Sequence, residues 1–326
     1  MPTLTESKRI EDLRQTSPFE PEPPRKSRIV SALMRVAERR RNTRETPHLH
    51  GGSAEDKVLW EYERSEDFWE RIAHLIPFDS IRDKDVLDVG CGWGGKMIHW
   101  AETGGPRSVT GFDLPGVFEP EAPAELARAR GLDNLSFTTG FAEDIPFDDE
   151  SFDVAIVDDV IEHVRDPERV FAECHRVLRP GGIAIAKFPS FRMMRAHHLD
   201  RAIAWPALHY VLPMRVWAGG LNHHLVSGAK SPYEPFGRII RTRYHEGIIS
   251  ELNGIDLRGT REALGKSGLE VVELDLLGLP PDVERSASPL VKRTYSTLRR
   301  VRPLREFLSS YIAFVARRPI REAGNR

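Results

Sequence analysis

The sequence predicts an α/β fold with a doubly wound, seven-stranded, mainly parallel sheet. The chain has 326 residues, 40% of them hydrophobic and 29% charged, which is typical of a globular protein with a sizeable core. From residue 85 onward, short apolar runs alternate with segments of helical periodicity, as in sheets that are covered by helices on both faces. A glycine-rich turn follows the first of these runs, at the edge where such sheets bind ligands.

Seven apolar runs predict the strands, and four stretches of helical periodicity predict the helices between them. We expect strands near residues 86–90, 108–113, 135–139, 153–158, 183–188, 269–275 and 310–317. We expect helices near residues 94–103, 121–130, 168–178 and 258–267. Two further helices are predicted before the sheet, a basic one over residues 29–41 and a second one over residues 55–76.

Composition divides the chain into five segments. Residues 1–50 are a basic extension, expected to be partly disordered, in which Pro18, Pro21, Pro23 and Pro24 oppose regular structure. Residues 51–84 form a helical segment, and residues 85–189 form the ligand-binding core. Residues 190–257 interrupt the strand–helix alternation, so we interpret them as an insertion that caps the site. Residues 258–326 return to the sheet.

Composition also excludes several classes of protein. The sequence contains no run of roughly 20 uncharged apolar residues, so we expect no transmembrane helix. The first residues lack the apolar core of a signal peptide. The chain has 2 cysteines, Cys91 and Cys174, which supply neither a disulfide framework nor a cysteine-based zinc site. These features predict a cytoplasmic protein.

The net charge of −2 hides an uneven distribution of charge. Residues 113–162 contain 14 acidic residues and 2 arginines. Residues 25–45 have a net charge of +6, and residues 285–305 contain 7 lysines and arginines and no acidic residue. The basic segments are either solvated surface or a contact with something anionic, such as a phosphate, a lipid surface or a partner. No nucleic-acid-binding motif accompanies them, so we expect no nucleic-acid partner.

The glycine-rich turn has two acidic neighbours that bear on its ligand. Asp88 lies just before the first glycine, Gly90, where a carboxylate would repel a pyrophosphate but support an amine. Asp113 ends the second strand, 21 residues after Gly92, where a carboxylate can accept both hydrogen bonds of a ribose diol. The alternative is a turn that only packs a helix on a strand, with Asp113 capping the strand end.

Five ordered motifs resemble the class I S-adenosylmethionine-dependent methyltransferases, in particular those with the type 11 or type 12 core. The motifs are Val86–Gly94, Phe112–Asp113, Gly140–Phe147, Ser151–Val164 and the pair formed by Asp166–Pro167 with Arg176–Gly182. Weaker similarity continues through Gly268–Val271 and through Tyr311–Arg317, which resembles the last, antiparallel strand of that family. The resemblance implies a Rossmann-like fold and S-adenosylmethionine as the cofactor. It argues against a nicotinamide-dependent dehydrogenase.

The resemblance also implies the residues that contact the cofactor. Asp88, Gly90 and Gly92 would meet the amino and carboxyl groups of its methionine part, and Asp158 would lie near them. Asp113 would hold the ribose hydroxyls, with Leu114, Ala142 and Glu143 around the adenine. Many relatives have Asp in place of Phe141, so either Glu143 or Asp144 contacts the adenine amine, or stacking and backbone contacts do.

An oxygen acceptor needs a base to take its proton, and histidine suits that role at neutral pH. The chain has 12 histidines, of which we single out His163 in the fourth motif and His223, His224 and His245 in or near the insertion. The alternative for each is a structural or solvated histidine. No metal site is predicted, because these histidines lack helical spacing or paired carboxylates.

The insertion is rich in aromatic residues and arginines, which suit sugar rings, apolar pockets and phosphates. We therefore expect O-methylation of a sugar, glycolipid or hydroxylated metabolite. One alternative is C- or N-methylation of an apolar molecule such as a quinone or sterol, and another is a cofactor-binding partner protein without catalysis. The expected partners are a small-molecule, glycan or lipid-linked acceptor and a membrane surface that contacts residues 25–45 and 285–305 peripherally.

Overall fold

The computed structural model describes residues 19–21, 25–39, 53–115, 118–194, 241–243, 252–279 and 288–320, together with residues 207, 210, 216–217, 219–220, 223 and 283. Its main feature is a seven-stranded sheet with helices on both faces. A separate two-stranded sheet joins a short N-terminal strand to one in the insertion.

The strands are named β1 to β9 in chain order. They are β1 (Phe19–Pro21), β2 (Asp85–Val89), β3 (Ser108–Asp113), β4 (Leu135–Thr139), β5 (Phe152–Asp158), β6 (Leu178–Phe188), β7 (Arg241–Arg243), β8 (Glu270–Leu277) and β9 (Tyr311–Arg317). Seven of them, β2 to β6 with β8 and β9, confirm the seven strands predicted from the sequence. The pair β1 and β7 was not predicted.

The helices are named α1 to α9. They are α1 (Arg28–Arg39), α2 (Ala54–Glu63), α3 (Glu66–Ile72), α4 (Gly95–Thr103), α5 (Glu121–Ala129), α6 (Pro167–Val177), α7 (Leu257–Ser267), α8 (Pro289–Leu298) and α9 (Arg302–Arg305). Helices α1 and α4 to α7 confirm the predicted ones. A short 3₁₀ helix, Phe78–Ile81, precedes β2. Among the described helices, none is both long and apolar enough to cross a bilayer.

The strand order of the large sheet is β4-β3-β2-β5-β6-β9-β8. Strands β2 to β6 are parallel to one another, whereas β9 is antiparallel to both β6 and β8. The order therefore confirms the predicted doubly wound sheet and its antiparallel last strand. The chain reverses direction across the sheet between β2 and β5, so the crevice between their carboxyl ends is where a ligand is expected.

Burial on both faces of the sheet explains why its strands appear in the sequence as runs of apolar residues. In β2, Leu87 and Val89 join the core on one face, which includes Phe171 of α6. Val86 joins the core on the other face, which includes Trp69 of α3 and Trp100 of α4. Because neither face is left to solvent, the strand loses the alternation of a half-exposed strand.

The single helix predicted over residues 55–76 is wrong, because the structure divides it into α2 and α3. The chain turns at Arg64 and Ser65, whose amides donate to carbonyls of the last turn of α2. The two parts pack against different neighbours. Val58 contacts the cluster of α4 and α5, whereas Phe68 and other residues of α3 pack under the sheet. A straight helix could not place both apolar sets in those cores.

The expectation that prolines exclude regular structure in the extension is wrong for Pro21. Strand β1, which ends at Pro21, pairs antiparallel with β7 of the insertion. Proline is tolerated there because it ends a short strand in a two-stranded sheet. The extension contacts the insertion again where the Arg25 amide donates to the Gly219 carbonyl at 2.9 Å. Pro18, Pro23 and Pro24 lie outside the described residues.

Substitutions at two glycines test the close packing of α2 on α4. A Cβ on Gly95 would lie 2.0 Å from the Val58 carbonyl oxygen, whereas a Cβ on Gly265, in the exposed part of α7, would meet nothing within 4 Å. We expect Gly95→Ala to lower the free energy of unfolding by about 1–3 kcal/mol through overpacking. Gly265→Ala should raise it by about 0.5–1 kcal/mol through helix propensity. Urea denaturation measures both, and equal effects would contradict the packing.

Candidate active site

The glycine-rich loop after β2 crosses the crevice between β2 and β5. Gly90 and Gly92 have φ angles of +73° and +61°, a backbone conformation that favours glycine. A Cβ on Gly90 would lie 2.4 Å from a methyl group of Val160, so only glycine fits between the loop and the segment after β5. Glycine at this position therefore lets the loop pack directly against the segment after β5.

Asp88 lies at the carboxyl end of β2 and is fully buried. Both of its carboxylate oxygens lack a hydrogen-bond partner among the described residues. Burial raises the pKa of Asp88 to about 7, although the Lys96 ammonium group opposes that shift. A buried carboxylate without partners is costly, so this position favours a cationic ligand group.

Asp113 ends β3 and holds the glycine-rich loop. Its two carboxylate oxygens accept hydrogen bonds from the amides of Gly92, at 2.8 Å, and Leu114, at 2.6 Å. Each oxygen keeps a second lone pair, so the carboxylate can still accept hydrogen bonds from a diol. Burial raises the pKa of Asp113, and these two amides oppose the shift. The Leu114 side chain is 45% exposed beside it.

Two lysines hold Asp158 at the carboxyl end of β5. The Lys96 and Lys187 ammonium groups each lie 2.8 Å from one of its carboxylate oxygens. Burial opposes ionisation of Asp158, but the two ammonium groups outweigh it and lower its pKa to about 2. Lys187 also lies 3.1 Å from Asp159 and 4.0 Å from the centre of the Tyr311 ring. This network fixes charged groups at the carboxyl ends of β5 and β6 and at the start of α4.

Glu61 of α2 is a site residue that the sequence did not reveal. Its carboxylate accepts hydrogen bonds from the amides of Trp93 and Gly95, at 2.9–3.1 Å, at the start of α4. Burial raises the pKa of Glu61 to about 7, while Lys96 and the two amides oppose the shift. A carboxylate at a helix N-terminus is favourable. No local pattern marks Glu61, because it lies more than 30 residues before the amides that it binds.

Residues 140–147 follow β4 beside the same edge. Ala142 is buried, and the Glu143 carboxylate accepts a hydrogen bond from the Arg165 amide at 2.8 Å. The Asp144 amide donates to the Phe141 carbonyl in a tight turn. Glu143 therefore ties this turn to the loop after β5, and its other oxygen is the one left for a ligand.

Of the four histidines singled out, the structure brings His163 to the crevice. It follows β5, its side chain is 40% exposed, and its Nε2 lies 3.7 Å from the buried carboxylate of Glu162. It is close enough to Asp113 to favour the ionised form of that residue and so oppose the rise of its pKa. His223 is half-buried in a helical conformation within the insertion. His224 and His245 lie outside the described residues.

The matches to known proteins fall on this core. Residues 87–186 match the family model described as a methyltransferase domain. Norajmaline N-methyltransferase from Rauvolfia serpentina is 36% identical over 112 residues, which cover 34% of this chain and 38% of the relative. Phthiotriol/phenolphthiotriol dimycocerosates methyltransferase from Mycobacterium tuberculosis is 43% identical over 100 residues, which cover 30% of this chain and 35% of the relative.

A solved structure from Listeria monocytogenes has the same fold. It is described as a candidate S-adenosylmethionine-dependent methyltransferase, and it matches with a TM-score of 0.50 and 16% sequence identity, covering 78% of this chain and 98% of the other. At that identity the likeness concerns the fold. The chain spans 35–38% of the length of the two curated relatives described above.

The family match and the strand order together show that residues 87–186 belong to a methyltransferase domain with the class I fold. They confirm the resemblance stated from the sequence. S-adenosylmethionine is the cofactor of this domain, and the chain's own residues suit it. Asp88 offers to a cationic molecule a carboxylate that has no hydrogen-bond partner among the described residues.

Replacing Asp113 tests its expected contact with the ribose. We expect Asp113→Ala to weaken S-adenosylmethionine binding about 10- to 100-fold, roughly 1.5–3 kcal/mol, because two hydrogen bonds to a carboxylate are lost. Isothermal titration calorimetry measures the affinity. Asp133→Ala removes an exposed carboxylate from the same acidic stretch and is the matched control. Unchanged affinity in Asp113→Ala would contradict the assignment.

The raised pKa of Asp88 predicts a pH dependence of stability without cofactor. Folding raises the pKa from 3.8 to about 7, so ionisation of Asp88 destabilises the folded protein increasingly as pH rises through that window. Relative to Asp88→Asn, which does not titrate, the protein should lose about 2–3 kcal/mol of stability between pH 5 and pH 8. Urea denaturation at several pH values measures the difference. Parallel curves for the two proteins would contradict the burial of an unpartnered carboxylate.

Proposed function

We propose that the protein transfers the methyl group of S-adenosylmethionine to a hydroxyl oxygen of a sugar, glycolipid or other hydroxylated metabolite. The observation that carries the choice of oxygen is His163, a partly exposed histidine at the crevice beside the buried Glu162. An alcohol is a weak nucleophile and needs a base to take its proton during transfer. Amine or thiolate acceptors need such a base less.

The residues around the crevice divide the work of binding. Asp88 and the backbone at Gly90 and Gly92 would hold the methionine part of the cofactor, and Asp158 would lie near it. Asp113 would hold the ribose, with Leu114, Ala142 and Glu143 around the adenine. When bound, the cofactor supplies a methyl group on a sulfonium centre, which reacts by in-line displacement. Alignment of the acceptor and exclusion of water supply much of the acceleration.

In this proposal His163 accepts the proton of the acceptor hydroxyl as the oxygen–carbon bond forms. The Glu162 carboxyl group lies 3.7 Å from Nε2 of the ring, which is beyond hydrogen-bond distance. Glu162 is buried, and burial together with Asp159 raises its pKa well above the ordinary value. Glu162 is therefore a buried neighbour of the ring, while His163 would contact the acceptor. His223, His224 and His245 are candidates for the same role from the insertion.

The insertion would cap the acceptor. Among its described residues, Tyr210 is 55% exposed and donates a hydrogen bond to the Arg192 carbonyl at 2.8 Å. The Arg192 guanidinium lies 3.1 Å from Asp256 and is 65% exposed. An exposed aromatic ring beside an exposed arginine suits a sugar or a phosphate-bearing lipid. The mycobacterial relative, named for phthiotriol dimycocerosates, supports a hydroxyl-bearing lipid.

Methyl transfer to nitrogen is the second candidate. It is supported by the plant relative, which is named as an N-methyltransferase and is 36% identical over 112 residues. A carbon acceptor and a cofactor-binding protein without catalysis remain as further alternatives. These four functions differ in where a labelled methyl group goes.

The test is transfer of a labelled methyl group from S-adenosylmethionine. The purified protein is incubated with polysaccharide, lipid and small-molecule fractions of cells that carry it, with Asp113→Ala as the control for contaminating activity. We expect base-stable label in the lipid or polysaccharide fraction, and mass spectrometry of the product should place it on oxygen. Label on nitrogen or carbon would overturn the choice of acceptor atom. No transfer into any fraction by a protein that binds the cofactor would overturn catalysis.

Substitution of His163 tests the base. With a hydroxyl acceptor, we expect His163→Gln to lower kcat about 100-fold or more while cofactor affinity stays unchanged, because general-base catalysis typically contributes that much. The variant should also lose the pH dependence of kcat that the parent protein shows. His74→Gln, at an exposed histidine 3.5 Å from Asp275, is the matched control. A kcat within threefold of the parent would contradict the role of His163.

A further inference from the structure

Between β8 and β9 the chain leaves the sheet in a segment that we call the basic excursion, residues 288–305. It contains α8 and α9, and its six charged side chains are all lysine or arginine. Helix α8 begins at an N-cap, Ser288, whose hydroxyl accepts a hydrogen bond from the Val291 amide. The excursion is thus regular structure rather than an unstructured loop.

The basic excursion keeps its apolar side chains in solvent. Neither α8 nor α9 buries a single residue. The exposed apolar residues are Leu290 at 74%, Val291 at 39%, Leu298 at 40%, Val301 at 47% and Leu304 at 36%. Helical periodicity places Val291 and Leu298 on one face of α8, with Leu290 beside them. A helix normally turns its apolar face to a core, so this face has no partner within the described chain.

Two arginines attach the basic excursion to β8, whereas its other four cations have no acidic partner among the described residues. Arg299 donates to the Leu276 carbonyl at 2.6 Å, and Arg305 pairs with Asp275 at 2.5 Å, both in β8. No ion pair to a described acidic residue holds the other four, which are Lys292, Arg293, Arg300 and Arg302. Four cations without an acidic partner among the described residues therefore lie next to five exposed apolar side chains.

The topology places this surface at the site's edge of the sheet. The excursion starts after Leu277 and ends before Tyr311, and these two residues are paired in the sheet. Because β9 is antiparallel to β6, its first residues lie beside the carboxyl end of β6, where Phe188 pairs with Ile312. That is the same edge of the sheet at which Asp88, Asp113 and Asp158 lie.

The chain just after the excursion also contacts both ends of the insertion. The Glu306 carboxylate accepts hydrogen bonds from the Ser190 hydroxyl and, at 2.8 Å, from the Leu257 amide. The Met194 amide donates to the Phe307 carbonyl at 3.1 Å. A surface that binds the excursion would therefore lie next to the segment proposed to cap the acceptor.

We propose that the basic excursion docks on the surface of an anionic lipid bilayer, with its apolar side chains between the head groups and its cations on lipid phosphates. Interleaved basic and apolar side chains on a short exposed helix suit a bilayer interface, whereas a polyanion would leave the five apolar side chains in water. Docking would turn the carboxyl edge of the sheet toward the membrane. A lipid-linked acceptor then reaches the site from the bilayer, a consequence that rests on the proposed function, whereas docking itself does not.

Vesicle binding without cofactor or acceptor tests docking alone. The full chain is sedimented with vesicles of phosphatidylcholine, or of phosphatidylcholine with 30% phosphatidylglycerol, a composition chosen at roughly the anionic content of a charged leaflet. We expect binding to the anionic vesicles that falls as salt rises from low to high concentration. The triple variant R293Q/R300Q/R302Q should bind about 100-fold more weakly, since each cation near such a surface contributes roughly fivefold.

Two further variants show whether vesicle binding depends on the charges and on the apolar side chains of the basic excursion. K84Q/R128Q/R261Q removes the same charge from exposed positions elsewhere and should bind within threefold of the parent. L290S/L298S keeps every charge but replaces two apolar side chains that are proposed to be buried in the bilayer. It should therefore weaken binding at least tenfold. Equal binding by R293Q/R300Q/R302Q and its control would overturn the proposal. Unchanged binding by L290S/L298S would also overturn the proposal, because the contact would then be purely electrostatic. An acidic protein could provide such a contact equally well.

Discussion

The buried carboxylate of Asp88 is the constraint on which the site depends. It lies near the carboxyl end of the central strand, β2, in a sheet that is covered on both faces, where it is buried and has no hydrogen-bond partner among the described residues. Such a group either stays neutral or requires a cation. Lys96 is the nearby cation, but its ammonium group is already bonded to Asp158 at 2.8 Å. The edge therefore holds unbalanced negative charge that suits a molecule with an ammonium and a sulfonium group.

The backbone around Asp88 is held in one conformation by close packing and by hydrogen bonds to the loop amides. Gly90 packs against Val160 so closely that no side chain fits, and the loop is held from both sides by carboxylates. Asp113 binds the Gly92 amide, and Glu61 binds the Trp93 and Gly95 amides. The loop amides are thus satisfied without a ligand, so the loop is preorganised. Binding would then cost little conformational entropy.

The sequence predicted the sheet well because its strands are buried on both faces and read as continuous apolar runs. It predicted Asp88, Gly90, Gly92 and Asp113 as site residues because they are local to the first two strand ends. It failed where the determining contact is distant. The turn at Arg64 depends on which core each apolar residue reaches, and the pairing of β1 with β7 joins residues more than 200 positions apart. The sequence marks Lys187 only as a residue near the end of a strand, because its partner Asp158 lies on a different strand.

The central claim is that Asp88 meets a cationic group of the cofactor, and proton release on binding tests it most directly. At pH 6, Asp88 with a pKa of about 7 is mostly protonated, so it must ionise when S-adenosylmethionine binds. Calorimetric titrations in two buffers of different ionisation enthalpy count the protons. We predict release of close to one proton by the parent protein and of none by Asp88→Asn. Cofactor binding by the parent protein without proton release at pH 6 would contradict the claim.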